Sequence, residues 1–572
     1  MKKKRSLVFL LALFAVAFLG LLYLYFFKVR PINLADNSSV VIPKPISSGA
    51  VIIPHFDFAK NSRQKFLASL SGKEEVKKII LFSVNHFDSS TDFISSKRPW
   101  SFTNQIVRID DNFIDELSSD DLVDINDNIF VGEHGISNVV GEIQEKFINA
   151  KITPVIVTPD TPKDDLDYFI GAINEKCPEC YLVGSVDFSH YLPSSLAQIH
   201  DQTTLDAIAS RDDKRILESE TDSPEILYML NWWAKENDLN FKLYENNNSG
   251  LAQNNYDIET TSWVIGEYTQ GEAKFAQITS FLFGGDIMLD RMVNHVFKDK
   301  GFSEVFDNLG KKTFHGSDIK IANLEGPISE TAIDDDISSN NLTFNFAPGS
   351  IDALKELKFN YLSLSNNHSQ NAGIKGLQNT RDVLKENLIE SIGSQTSFDQ
   401  TNIARNDIGG IKISIIAVNI LSVSSEDKLV KAAKQEKSLG RFVIFFPHWG
   451  NEYSVTHSNA QQQLAHKMID AGTDLIIGSH PHVIQDSEIY NNKLIVYSLG
   501  NFVFDQTFSA ETQQGVLIGG TIEEDETKIS FFPIEIKNYR PQFARGMLRQ
   551  NILDHVMPSG ISRENFDTIT LK

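Results

Sequence analysis

Asp474-Leu475-Ile476-Ile477-Gly478-Ser479-His480-Pro481-His482 is an apolar run that stops at a glycine and then delivers two imidazoles. The run reads as a buried strand, and the residues after it as the loop leaving its end. Pro481 fixes its own φ and biases His480 toward extended backbone, where side chains at i and i+2 face the same way, so the spacing predicts a two-imidazole pincer for a metal ion. A His-x-His pair alone suits a hydrogen-bonded loop equally well. Its weight comes from similar stops upstream. Phe283-Gly284-Gly285-Asp286 ends a strand pattern at 278–283, and Ala322-Asn323-Leu324-Glu325 ends one at 319–322. Ser365-Asn366-Asn367-His368 follows a pattern at 361–364, and Pro447-His448-Trp449-Gly450 follows one at 442–446. Strand ends are where open α/β sheets place their ligands. Carboxylate, amide and imidazole donors together suit two divalent ions of the Mn, Fe or Zn kind rather than calcium or thiolate-bound zinc, and such a pair points to hydrolysis.

Strand and helix patterns alternate along nearly the whole chain. With 572 residues it exceeds what one core organises. Strand patterns at 50–54, 78–83, 152–157 and 181–184 enclose helix-like stretches at 141–150 and 164–175, with a late amphipathic helix at 223–236. The pattern restarts near Gly271-Glu272-Ala273-Lys274 and continues through 411–418 and 494–497. The expected organisation is a basic stub and membrane anchor at 1–30, a linker at 31–49, α/β domains at 50–270 and 275–545, and a loosely packed tail at 546–572.

The 53 Lys plus Arg face 75 Asp plus Glu, a formal charge of -22, which disfavours nucleic acid and anionic membrane surfaces as partners. Lys2-Lys3-Lys4-Arg5 precedes an apolar run at 6–27. As a helix that run is about 33 Å long, enough to cross a bilayer core with the basic cluster inside. The expectation is a single-pass cell-membrane protein with the bulk of the chain extracytoplasmic. A cleaved signal peptide is the alternative, with Ala15-Val16-Ala17 as its cleavage site, but the apolar run continues ten residues beyond. The two cysteines stand as Cys177-Pro-Glu-Cys180. With no second pair they make no zinc knuckle, leaving a small disulfide or a redox-active pair as readings.

In the first half, three histidines also end strands: Pro54-His55, Asn85-His86 and Asp187-Phe-Ser-His190-Tyr191, with Glu133-His134 opening a helix. Each alone suits a hydrogen-bonded loop. Their convergence makes a smaller constellation.

The order Gly-Asp286, Asn-Leu-Glu325, Asn-Asn367-His368, His448-Trp-Gly, Gly-Ser-His480-Pro-His482 and Ser498-Leu-Gly-Asn501-Phe resembles the poly-gamma-glutamate capsule synthesis protein CapA family, a branch of the calcineurin-like metallophosphoesterases, over about residues 278–540. The resemblance implies an α/β sandwich. It also implies Asp286, Glu325, Asn367, His448, His480 and His482 as ligands, Glu325 bridging, His368 as proton donor to the leaving group, and Arg291 and Asn501 beside the ions or facing substrate. Met288 departs from the wider phosphoesterase pattern, standing where an Asp-x-His motif has its histidine.

The first half, over about 50–268, resembles the Memo-like family, also called AmmeMemoRadiSam system protein B, related in fold to class III extradiol dioxygenases. That resemblance implies an α/β domain with His55, His86 and His190 holding one iron- or copper-like ion, and Glu133, His134 and Asp187 nearby. Phe56-Asp57-Phe58 departs from the small residues and tyrosine of relatives.

The combined expectation is an anchored, metal-dependent phosphoesterase-like hydrolase. It would act in synthesis, export or trimming of an anionic envelope polymer such as poly-gamma-glutamate, with that polymer or its membrane synthase as partner. The alternatives are a non-enzymatic metal-binding assembly factor and oxidative chemistry in the Memo-like half.

Overall fold

Runs such as Ala50-Val-Ile-Ile53 are apolar on both sides of the pleat, which only a strand covered on both faces tolerates. The computed structural model describes residues 49–70, 76–87, 91–102, 105–271, 277–329, 337–338, 341–423, 425–565 and 567–572. In it Gly49–Ile53, Tyr181–Ser185, Lys78–Val84 and Lys151–Val157 lie side by side and parallel. Thr260–Thr269 and Asn240–Asn248 extend one edge antiparallel, and Phe93–Ser95 and Asp124–Ile125 extend the other. Helices Lys163–Lys176 and Pro224–Glu236 cover one face through Phe169, Ile170, Met229 and Trp233. Phe66, Ile136 and Ile143 cover the other. Cys177 and Cys180 are joined in a disulfide just before Tyr181–Ser185.

The second half is a sandwich of two sheets. One runs Glu390–Ile392, Tyr361–Ser363, Ile319–Leu324, Thr279–Ile287, Gln514–Ile522, Thr527–Lys537, Arg540–Phe543. The other runs Ile403–Ile408, Ile411–Asn419, Phe442–His448, Leu475–Ile477, Lys493–Val496, Ser487–Tyr490. Phe281, Phe283, Ile321, Ile415, Phe446 and Ile477 fill the space between them. Helices Glu426–Ser438 and Asn459–Asp470 cover the outer face of the second sheet. Within each sheet the central strands are parallel, so their C-terminal ends gather at one rim.

The two halves share a core. Leu192, Leu196, Ala197 and Ile199 of the first pack with Val293, Phe314 and Phe502 of the second. Arg215 crosses the boundary, buried, with Nε 2.9 Å from Asp318 Oδ1.

Two expectations are corrected. Among the described residues no helix is long and apolar enough to cross a membrane, so the N-terminal membrane helix and the single-pass membrane location are not carried forward; the apolar run at 6–27 lies outside the described residues. The chain beyond 546 is not a loose tail. Gly546–Val556 is a helix burying Ile552, Leu553 and Val556, and Thr568–Leu571 adds a strand to Thr527–Lys537. Both were illegible because the strand has four residues and the helix interrupts its apolar positions with Arg549-Gln550-Asn551.

Candidate metal centres

Asp286 is reached through a bulge in Thr279–Ile287, where Gly285 lets the chain at Gly500 pass. A Cβ on Gly285 would lie 2.1 Å from the Gly500 carbonyl oxygen. Glu325 is the first residue beyond Ile319–Leu324, and His448 is the last of Phe442–His448. His480 and His482 follow Leu475–Ile477, and all five side chains are buried.

The loop carrying the histidines is not the extended pincer expected. His480 and His482 both have left-handed backbone, φ 102° and 58°. Such conformations cost about 1–3 kcal/mol for residues other than glycine and persist where surroundings over-determine them. Here Tyr453 N donates to Pro481 O at 2.8 Å, and His480 N donates to Asp286 Oδ2 at 3.2 Å. The two rings still converge, with centroids 5.8 Å apart.

Glu325 stands at the centre. Its Oε1 is 3.4 Å from His482 Nε2, whose Nδ1 is 3.3 Å from Asp286 Oδ2. Ligand-capable atoms of Asp286, Glu325 and His482 lie within 4.8 Å of one another, and so do those of Glu325, His448 and His480. Glu325 belongs to both sets. Asn367 Oδ1 is 2.8 Å from His448 Nε2, and Asn501 Oδ1 is 3.1 Å from His482 Nδ1, so the amides aim the rings. His368 packs its ring on Phe344, with Nε2 3.9 Å from Glu325 Oε1.

Burial pushes His368 and His480 down to about 4 and His448 well below its usual value. At His482 burial again opposes charge, but Glu325 and Asp286 outweigh it and raise the imidazole to about 9. Burial raises the Glu325 carboxyl well above the usual range; Asp286 and Glu452 add to this while His482 pulls against it. Among the described residues, Glu325 Oε1 and His480 Nδ1 have no hydrogen-bond partner although both are buried. Buried acceptors aimed at one point, with two carboxylates among them, suit divalent cations.

Arg291 does not face a substrate space. Its guanidinium is buried against Asp505, with Nε 3.1 Å from Oδ2, and lies over Phe344, the ring that carries His368. Met288 is buried in the apolar cluster beside Phe502 rather than turned to the centre.

Two residues here escaped the sequence reading. Asn323 Nδ2 donates to Asp286 Oδ1 at 2.8 Å and to Glu325 Oε2 at 3.2 Å, while its Oδ1 accepts from Asn366 at 2.9 Å. An asparagine following Ile321-Ala322 in a buried strand, two residues before Glu325, is the signal that could have found it. The exposed Glu452 reaches a third set with His480 and His482. Its only signal is its place four residues beyond His448.

The smaller constellation gathers at the rim of the first sheet. His55 Nε2 is 3.2 Å from both Asp187 Oδ2 and Asp222 Oδ2, and His86 Nδ1 is 2.7 Å from Glu133 Oε1. The third imidazole grouped with His55 and His86 is His134, whose ring centroid lies 4.0 Å from that of His86. His190 lines the same cleft outside that group, because it opens a strand pairing with Thr260–Thr269. Glu133 caps the helix His134–Ser137 through Gly135 N while holding His86, which fixes His134 beside it. Burial, then the neighbouring imidazoles His86 and His134, push His55 down to about 3. Burial also lowers His134 and His190 and raises Asp187 and Asp222. Asp222, which the sequence reading did not single out, completes a second set with His55 and Asp187.

Comparison with known proteins divides the chain in the same way. Residues 280–506 match the family model described as bacterial capsule synthesis protein PGA_cap, and residues 34–226 match that of Memo-like protein. The chain is 30% identical over 288 residues to the capsule biosynthesis protein CapA of Bacillus anthracis, covering 47% of this chain and 70% of that one. It is 29% identical over 281 residues to the PGA biosynthesis protein CapA of Bacillus subtilis, covering 46% and 73%. A MEMO1 family protein of Methanococcus maripaludis is 26% identical over 185 residues, covering 29% and 62%.

Proposed function

This chain belongs to the CapA family of bacterial capsule synthesis proteins, with a Memo-like region ahead of the capsule-synthesis region, and on that premise we propose that it is a metal-dependent hydrolase serving synthesis of a poly-gamma-glutamate type of capsule. The observation that carries this reading is Glu325, one buried carboxylate common to two three-residue ligand sets. Asp286, Glu325 and His482 would hold one divalent ion and Glu325, His448 and His480 the other, with Asn367 beside His448. Such a pair, when bound, lowers the pKa of water and offsets charge developing on a phosphoryl or acyl centre.

The remaining roles belong to the protein's own groups. Asn371 Nδ2 lies 3.0 Å from His368 Nδ1, and in the tautomer that accepts this bond the imidazole proton is on Nε2, directed at the centre. With its pKa held near 4, His368 is neutral, so it meets a departing oxygen as an N–H donor. A phosphate placed beside it raises its pKa, so that the ring can take up a proton from solvent and, as imidazolium, give one to the departing oxygen and return to neutral. Phe344 and Asn371 fix that ring, Asn323 fixes both carboxylates, and Asn501 fixes His482. The partner is the capsule polymer or the machinery that makes it, since the relatives carry names of PGA, capsule or polyglutamine synthesis proteins.

Full-length protein with Mn2+ is expected to hydrolyse aryl phosphate mono- or diesters and to lose that activity in His480→Ala. Metal-loaded protein inert on aryl phosphates and on γ-linked glutamate oligomers contradicts the hydrolytic reading and leaves a metal-dependent assembly role.

A further inference from the structure

The histidine cleft of the first half is not made by the first half alone. It encloses about 810 Å3, and one wall is Gly310, Lys311 and Lys312 of the second half. That wall is held in place. Lys312 Nζ donates to Thr221 O at 3.4 Å, beside Asp222, and Phe314 enters the core shared by the two halves. Gly316 lies so close to the buried His200 that a Cβ there would stand 2.4 Å from the ring. The lysines differ in what they have left to bind. Lys311 is 3.1 Å from Glu356 Oε1, whereas Lys312 is in no ion pair with a described residue. Phe56, Val84, Pro159 and Leu192 also line the cleft, as does the exposed Tyr191, which has left-handed backbone, φ 58°.

We propose that this cleft binds a small organic carboxylate, its apolar body against Phe56, Leu192 and Tyr191 and its anionic end on the Lys312 ammonium, so that both halves of the chain read one ligand. Lys312 is exposed and makes no ion pair with a described residue, although its field reaches Asp222 and Glu220; its ammonium is therefore open to an anion, and a charge-assisted pair there is stronger than a neutral hydrogen bond. One lysine, in a cleft that also holds Asp57, Asp187 and Asp222, balances a single negative charge better than two. The apolar wall makes a ligand with a hydrocarbon body a better fit than an inorganic anion. The inference is independent of the hydrolytic reading, because Lys312 touches no residue of the Glu325 centre.

Calorimetric titration of the full-length protein after exhaustive chelation, so that the Glu325 centre holds no ions to bind or hydrolyse a phosphate ester, with phenylacetate, neutral phenylacetamide and phenyl phosphate tests it. Phenylacetate is expected to bind roughly tenfold tighter than phenylacetamide, and phenyl phosphate no tighter than phenylacetate. Lys312→Gln removes the preference while leaving phenylacetamide binding and the melting temperature unchanged; Lys312→Arg retains it. Added salt shrinks the preference in the natural protein only. Equal binding of acid and amide, no binding of either, tighter binding of the phosphate, or an unchanged preference in Lys312→Gln each overturns the proposal. Aryl phosphatase activity at the Glu325 centre is unaffected by Lys312→Gln, which separates failure here from failure there.

Discussion

Replacing Glu325 by glutamine keeps the side chain's shape and removes its charge, and the structure predicts opposite consequences with and without metal. Glu325 is fully buried, its Oε1 has no hydrogen-bond partner among the described residues, and its Oε2 accepts only from Asn323, at 3.2 Å. Without a cation, burial and Asp286 both disfavour that carboxylate, and His482 compensates in part. A buried polar group left unsatisfied costs about 1–3 kcal/mol. Metal-free Glu325→Gln is therefore expected to melt above the metal-free natural protein, by a few degrees at most. With Mn2+ at a hundred times its dissociation constant, each bound ion stabilises the natural protein by about 2.7 kcal/mol. The variant forfeits the ligand common to both sets, so the order of melting temperatures reverses. Thermal melts after exhaustive chelation, and again with MnCl2, read both halves of the statement. A variant less stable in both conditions, or one that Mn2+ stabilises as much as the natural protein, refutes the reasoning.

Asn323→Ala removes the amide that holds Asp286 and Glu325, and Mn2+ affinity measured by calorimetry is expected to fall 10–100-fold, with unchanged affinity as the contrary result. Asp201 is buried, accepts from Ser262 and Asn246, and is pushed up to about 7, chiefly by burial. Because its folded pKa lies above the unfolded one, the native state binds the proton more tightly, and stability falls as pH rises from about 4 to about 7, by up to about 4 kcal/mol. Asp201→Asn is expected to flatten that slope, stabilising the protein at pH 8 and leaving it near the natural value at pH 4.5; denaturant melts at the two pH values check it, and parallel slopes contradict it. Arg63 is fully buried, with Nε 2.7 Å from Glu142 Oε2 and an Nη bond to Pro54 O just before His55. Arg63→Ala leaves Glu142 unpaired and is expected to cost about 3–5 kcal/mol in a denaturant melt, against no change if the pair is dispensable.

Strand ends were legible because the fold writes them plainly. An apolar run that ends in a polar residue marks Asp286, Glu325, His448 and His480, with glycine closing the run at the first and last, and the parallel sheets bring all four together. Backbone direction was not legible. Pro481 favours an extended His480, yet tertiary bonds from Tyr453 and to Asp286 force both histidines left-handed. Partners that act across the site escaped for a related reason: Asn323, Glu452 and Asp222 take meaning only from what other strands place opposite them. The pairing of His134 rather than His190 with His55 and His86 depends on Glu133 serving two neighbours at once. The Lys312 wall was unreadable because it joins regions whose strand patterns were separate in sequence.

Elemental analysis tests the central claim most directly. Purified full-length protein should carry two equivalents of Mn, Fe or Zn more than its Glu325→Gln variant, with any ion at the histidine cleft common to both. Equal metal content in the two proteins would contradict the assignment of Glu325 as the carboxylate joining two ion sites.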